Sequence, residues 1–234
     1  MLEALVITPV KNALENTLET IKAIQRTEST VSYFVYDDFS DKDVSQTLFA
    51  EQSKLGYNYI HLSALTNTPS PNYHTVLIDA QKKAIQLGVP LIIVESDVVV
   101  KPHVFKSLLS YISPKTGMVG AITVDDTGTI NFPYLKFKNE KEAVIKTSRS
   151  LSFCCTLLSL DFLKTFDFAE LNSEKDWFDT IISEKSIESG FENYVLLNTP
   201  VLHKPHGSRP WKHLKYTNPL KYYWLKFTQK RDKI

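Results

Sequence analysis

Leu91-Ile92-Ile93-Val94-Glu95-Ser96-Asp97-Val98-Val99-Val100 is the stretch whose reading decides the fold. Four apolar residues, mostly β-branched, follow Gly88 and Pro90 and run into Glu95 and Asp97. An unbroken apolar run after a turn signal predicts a buried strand of parallel type. Two carboxylates at its end are costly unless opposite charge compensates them. A divalent cation is one compensator, and hard cations prefer carboxylate oxygen. In an open α/β sheet, ligands collect at the carboxyl ends of strands. Glu95 and Asp97 are therefore expected to floor a metal-dependent site. The plainer alternative is a solvated strand end feeding the helix that Pro102 opens.

Upstream, the chain alternates strand and helix signals. Leu5 to Thr8 is a short apolar run ended by Pro9, and Asn12 and Glu15 have capping-box spacing before Leu14, Leu18 and Ile21. Val31 to Tyr36 is a second strand, ending in Asp37-Asp38-Phe39-Ser40-Asp41, and Asp41 is placed to cap a helix carrying Val44, Leu48 and Leu55. Tyr57 to Leu62 is a third strand; Thr66 to Tyr73, with two prolines, is a loop; Tyr73 to Leu87 is a helix. After the central strand, Val104, Phe105, Leu108, Leu109 and Ile112 mark another helix. This βαβαβαβα order predicts an α/β fold, a Rossmann-like and mostly parallel sheet with helices on both faces.

The second half reads as a smaller, mixed region. Met118 to Val124 is a strand, Asp125 to Gly128 a turn, and Thr129 to Phe137 a return strand. Asn139 to Arg149 reads as a loop, and Leu151 to Leu160 as apolar again. A helix is expected from Glu174 to Ser189, capped by Ser173 and ended by Gly190, then a short strand from Tyr194 to Leu197. His203, His206, Ser208, Arg209 and Lys212 form a dense polar cluster. The expected division is one domain over 1–215, in halves of 1–100 and 101–215, followed by a basic aromatic tail (216–234).

Composition narrows the classes. The 234 residues are 43% hydrophobic and 23% charged, as in an ordinary globular protein. A net charge of +1, from 27 basic and 26 acidic residues, argues against a dedicated nucleic-acid binder. Cys154 and Cys155 are the two cysteines, adjacent and in apolar surroundings, and read as packing residues. They form no disulfide framework, so a reducing, cytoplasmic setting is expected. No signal-peptide pattern is seen, and no apolar run reaches the ~20 residues that span a bilayer. The tail from Tyr216 to Lys233 alternates Lys and Arg with aromatics. It suits either peripheral contact with an anionic membrane or a helix closing the domain.

Three strand ends thus carry groups suited to a nucleotide: Pro9, Lys11 and Asn12; Asp37 and Asp38; Glu95 and Asp97. Their order and spacing resemble glycosyltransferase family 2, nucleotide-sugar-dependent enzymes of the GT-A fold, from about Leu5 to Ser208. Asp37-Asp38-Phe39-Ser40-Asp41 is similar to the family's Asp-Asp-Gly-Ser-x-Asp segment, with Phe39 at the glycine. The resemblance implies a base contact from Asp38. Asn72 to Ala84 resembles the helix before the metal strand, and the resemblance counts Asn72 there, and Ser96 at the strand end, among the nucleotide-side residues. Glu95-Ser96-Asp97 stands where the family has Asp-x-Asp, which implies Mn²⁺ or Mg²⁺ on Asp97. Glu95, a departure from aspartate, is left to the metal, to ribose or to a bound water.

The resemblance further implies an inverting transfer from a nucleotide-diphosphate sugar, UDP-sugar as first choice, to a glycan or lipid-linked acceptor. The base is expected at the start of a late helix. Asp179 is the first choice and Asp176 the reserve, since the family's Glu-Asp pair is missing from Glu174-Lys175-Asp176-Trp177-Phe178-Asp179. Three residues apart, both can share one helix face, where favouring the helix dipole is the simpler role. His203 resembles the family's late metal ligand, and His206, Arg209 and Lys212 are placed for phosphate or acceptor charge. Two other readings stay open: a sugar nucleotidyltransferase, although Pro9 to Ala13 lacks the glycine-rich loop, and a non-catalytic binding module on a decayed scaffold. A phosphoacceptor receiver domain would be shorter.

Overall fold

The computed structural model describes residues 1–172, 177–204 and 218–228, with side chains as far as Trp224. Strands β1 (Ala4–Val10), β2 (Val31–Asp37), β3 (Asn58–His61) and β4 (Leu91–Val94) alternate with helices α1 (Leu14–Ile24), α2 (Lys42–Leu55) and α3 (Tyr73–Leu87). The four strands are mutually parallel in the order β3-β2-β1-β4. The order reverses beside β1, so a crevice opens at the carboxyl ends of β1 and β4.

Side-chain alternation explains the two layers of helices. Leu5, Ile7, Leu91 and Ile93 point into one core with Val76, Leu77, Ala80 and Ala84 of α3. Val6, Ile92 and Val94 point into the other, with Ile21 and Ile24 of α1 and Leu48 of α2. Apart from half-buried Pro9, β1 and β4 are buried on both faces, which is why they are apolar but for Thr8. Pro9 follows Ile7, the last β1 residue paired with β4, so its missing N–H breaks no ladder on that side.

The second half is mixed. β5 (Val98–Val99), α4 (Val104–Leu109), β6 (Thr116–Val124), β7 (Val144–Thr147), β8 (Cys155–Leu158), α5 (Leu160–Thr165), α6 (Phe178–Glu188) and β9 (Glu192–His203) follow in order. β8 lies between β4 and β6, antiparallel to both; β9 runs parallel to β6 and antiparallel to β5 and β7. The central strand is therefore parallel to β1 on one side and antiparallel to β8 on the other. The α/β class and its mixed second half agree with the sequence.

Four local expectations are corrected. Asn12 does not cap α1: Ala13 holds the cap position, and the Asn12 side chain accepts from the Asp41 N–H at 2.7 Å. Thr129 to Phe137 is not a return strand. After one bridge between Val124 and Ile130 the chain turns through Pro133 into a 3₁₀ turn at Leu135–Phe137. The stretch read as a loop contains β7, which gains its ladder from β9. β9 itself spans 12 residues, because its last turn pairs with β5 instead of fraying.

Gly117 in β6 fixes the position of α6. A Cβ there would lie 1.9 Å from Ser186 Oγ, the hydroxyl that donates to Asn193 Oδ1 at 2.7 Å. The bare backbone lets α6 close on β6 and β9. Met1–His203 forms one compact unit and Lys204–Ile234 a second. In the second, helix α7 (Pro219–Thr228) is capped by Asn218, whose Oδ1 accepts from the Lys221 N–H, and it exposes Leu220, Tyr223 and Trp224. Among the described residues, no helix is long and apolar enough to cross a membrane.

Candidate active site

The central strand ends in a tight turn, where the Val98 N–H donates to the Glu95 carbonyl at 3.1 Å. β5 then pairs with the end of β9, Val98 opposite His203. This pairing brings His203 Nε2 to 3.1 Å from Asp97 Oδ2, with the Asp97 side chain fully buried. His203 Nδ1 lies 2.8 Å from the Phe132 carbonyl, which can only accept, so Nδ1 carries a proton. Burial pulls the imidazole pKa down; the hydrogen bond and charge of Asp97, with Glu95, outweigh it and the net direction is up. Nε2 is the ring nitrogen left to face Asp97, and a cation would take the place between the same two atoms.

A sulfur atom joins this corner. The Glu95 N–H donates to the Cys154 carbonyl at 3.0 Å, one step beyond the Val94–Cys155 pair. Cys154 Sγ lies 3.4 Å from Glu95 Oε2 and 3.3 Å from Ser152 Oγ. Burial pushes its thiol well up, and the Glu95 charge adds to that. Ligand atoms of Glu95, Cys154 and His203 all lie within 4.8 Å of one another. Two ligands of one ion are separated by at most about 4–5 Å, twice a bond of ~2.0–2.3 Å. The donor set therefore fits a divalent cation after small adjustments. Sequence reading missed Cys154 because 59 residues separate it from Glu95 and only the β4–β8 pairing joins them.

The β1 and β2 ends are interlocked by their own hydrogen bonds. Lys11 Nζ donates to the Phe39 carbonyl, the Asn12 N–H to Ser40 Oγ at 3.0 Å, and the Asp38 N–H to the Val10 carbonyl at 2.9 Å. Asn12 and Phe39 both hold positive φ, 55° and 56°. Phe39 thus keeps the left-handed backbone that glycine adopts without cost, with its ring edge-on to His61 at 5.2 Å. Asp37 is buried and accepts from the Ser40 N–H at 2.9 Å, the Tyr59 hydroxyl at 2.6 Å and the Ser45 hydroxyl. Asp38 accepts from Ser70 Oγ, the Asn72 N–H and Asn72 Nδ2, each at 2.8 Å. Asn72 and Ser96 are both buried.

Asp179 occupies the first turn of α6, where its Oδ1 accepts from the Thr180 N–H at 2.8 Å. α6 is tied to the β8 approach by Ser183 Oγ, which accepts from the Leu151 N–H and donates to the Asp179 carbonyl. The Asp179 charge acts on Tyr134 and Lys136, neither of which the sequence singled out. Burial, then Arg149, pulls the Lys136 pKa down, and Asp179 opposes them. Asp176, Ser173, His206, Ser208, Arg209 and Lys212 lie outside the described residues.

The family model described as glycosyltransferase like family 2 matches residues 4–167. Among solved structures, S. aureus TarS 1-349 in complex with UDP aligns at 17% identity and a TM-score of 0.68, over 92% of this chain and 64% of that one. GalNAc-T7 with UDP, GalNAc and Mn²⁺ aligns at 14% identity and 0.63, over 87% of this chain and 44% of that one. The mannosyltransferase PcManGT from Pyrobaculum calidifontis, in complex with GDP-Man and Mn²⁺, aligns at 11% identity and 0.64, over 99% and 65%. At these identities the likeness is one of fold, and the chain spans less than two thirds of each of these three. No curated protein matches the chain's sequence.

Proposed function

The chain belongs to glycosyltransferase-like family 2, and on that premise we propose that it moves a sugar, with inversion, from a nucleotide-diphosphate donor to a glycan or lipid-linked acceptor. The observation that carries this reading is the meeting of buried Asp97 with His203 at the switch-point edge of the sheet. A UDP-sugar is the first donor to try, supported by similar structures holding UDP, UDP-GlcNAc or GDP-Man.

Asp97 and His203 would hold Mn²⁺ or Mg²⁺, whose charge neutralises the diphosphate as it leaves. Glu95 faces the same corner and serves the cation, the ribose or a bound water. Asp38 receives the base, with Asn72 steadying its carboxylate and Asp37 steadying the turn. Pro9, Lys11, Asn12 and Ser96 line the nucleotide side. Asp179, or Asp176 in its place, takes the proton of the acceptor hydroxyl. The acceptor oxygen then bonds the anomeric carbon on the face opposite the diphosphate, and the breaking bond's electron pair goes to the phosphate oxygen. His206, Arg209 and Lys212 are assigned to phosphate or acceptor charge.

Calorimetry with UDP and GDP tests the reading. Nucleotide binding should need Mn²⁺ or Mg²⁺ and disappear in Asp97→Ala; unchanged binding in that variant would refute the metal assignment. Asp179→Asn should keep donor binding and lose about 10²- to 10⁴-fold in transfer. Full turnover there moves the role to Asp176. A protein with no transfer or donor hydrolysis across a donor panel is the binding module instead. For α7, with Lys221 beside exposed Leu220, Tyr223 and Trp224, we propose contact with an anionic membrane on its cytoplasmic side. Liposome sedimentation should fall when residues after Thr217 are removed, and equal sedimentation sinks that part.

A further inference from the structure

We propose that Cys154 is itself a ligand of the donor-site cation, so that this site is built for a thiophilic divalent ion of the Zn²⁺ or Co²⁺ type as well as for oxygen-seeking ones. This deepens the transferase reading and rests on it.

The argument begins with register. β8 is antiparallel to β4, and the bond from the Glu95 N–H to the Cys154 carbonyl carries the pairing one residue past Val94. That places residue 154 beside the first acid of the metal turn whatever its side chain. β5 and β9 place His203 at the same corner. Sulfur, imidazole nitrogen and carboxylate oxygen then stand within 4.8 Å of one another, with the Asp97 carboxylate 3.1 Å from the imidazole. A residue serving only to fill space could be alanine, serine or valine here. Cysteine supplies a soft donor beside a carboxylate and an imidazole, with a second carboxylate 3.1 Å from that imidazole.

Donor chemistry sets the consequence. Thiolate favours zinc, cobalt and their like, while magnesium takes oxygen and keeps its waters. A Cys-His-carboxylate set is one that zinc accepts. On ligation the S–H bond breaks, the sulfur–metal bond forms from the electron pair left on sulfur, and the proton passes to solvent. Glu95 Oε2, 3.4 Å from the sulfur, is placed to pass that proton on.

Zinc outbinds magnesium at most nitrogen and oxygen sites, so preference must be read as a change between variants. The experiment titrates the full-length protein, with UDP present, with Co²⁺, Zn²⁺ and Mg²⁺ separately. The Co²⁺ form of the natural protein should show a near-ultraviolet sulfur-to-cobalt charge-transfer band. Cys154→Ser should lose that band while keeping bound cobalt. It should also bind Zn²⁺ about tenfold or more weakly, the scale on which metal sites respond to changed surroundings, with Mg²⁺ affinity unchanged. Cys154→Ala, which removes the donor outright, should behave the same way, and Cys155→Ala should keep the band. Tight cobalt binding without the band in the natural protein overturns the inference and leaves the transferase reading standing. A band that survives Cys154→Ser overturns it as well. Failure of every divalent ion to bind with UDP overturns both.

Discussion

Two acidic corners lie on the same edge of the sheet, and they are held in opposite ways. At the end of β2, Asp37 meets a backbone N–H and two hydroxyls, and Asp38 meets a hydroxyl and both nitrogens of Asn72. At the end of β4, Glu95 and Asp97 meet a thiol and an imidazole. The first corner is matched by neutral hydroxyl and amide donors. The second is matched by groups whose protons a cation can replace. The same side chain, aspartate, thus stands among fixed hydrogen-bond donors in one place and, on the reading proposed above, as a ligand in the other. The donors around it distinguish the two roles, and its position at a strand end does not.

Paired Asn substitutions break the comparison most sharply. Asp97→Asn should weaken cation binding by about 100-fold or more, beyond what loss of a supporting contact does. Its stability should change less than that of Asp37→Asn, because the imidazole of His203 need carry no charge and leaves none buried. Asp37→Asn should do the reverse. Its new NH₂ group must face either the Ser40 N–H or the Ser45 and Tyr59 hydroxyls, costing about 2 kcal/mol, with the folded protein's cation affinity unchanged. Denaturant titrations beside metal titrations of both variants read this out. Equal loss of stability in the two would erase the distinction.

Asn72→Ala is a smaller test of the scaffold side. It removes the Nδ2 bonds to Asp38 and to the Thr68 carbonyl, 2.8 and 2.9 Å long, and leaves the backbone N–H on Asp38. A cost of about 1–2 kcal/mol is expected, with nucleotide affinity reduced as Asp38 loosens. Unchanged stability would mean that Asp38 is held by Ser70 and the backbone alone.

The scaffold corner was the more legible of the two in the sequence. Strands β1, β2 and β4 are short, apolar and locally decided, so their polar ends could be placed in order along one edge. Phe39 could be seen standing where glycine is usual, although not that it keeps the positive φ. The β4 corner depends on pairings between residues far apart. Asp97 and His203 were singled out by resemblance, but Cys154 arrives only through an antiparallel β8 that no local pattern announces. β7 was missed for a related reason. Val144 to Thr147 is a brief run amid charges and becomes a strand by adding to β9. Thr129 to Phe137 failed in the other direction: its β-branched start looked like a strand, yet Asn131 turns away to donate from Nδ2 to the His203 carbonyl at 3.0 Å. That turn brings the Phe132 carbonyl to His203, so a failed strand helps to build the site.

The mildest test uses pH. Burial alone would raise the pKa of Asp37, but the bonds from Ser40, Ser45 and Tyr59 outweigh it, and the carboxyl titrates below its ordinary 3.8. A carboxyl held lower in the folded state stabilises the fold at pH values above the unfolded pKa. That contribution fades as pH falls from about 4 through the folded value. The natural protein should therefore lose denaturant resistance over this acid range more steeply than Asp37→Asn, which has no proton to take up there. Above about pH 5 the two curves should run parallel, offset by the cost of the substitution. Parallel curves across the acid range as well would mean that Asp37 gains nothing from its three donors in the charged form. The β2 corner would then lose its claim to be a scaffold built around a carboxylate, and Asp37 would have to be explained, like Asp38 and the acids of β4, by something it binds.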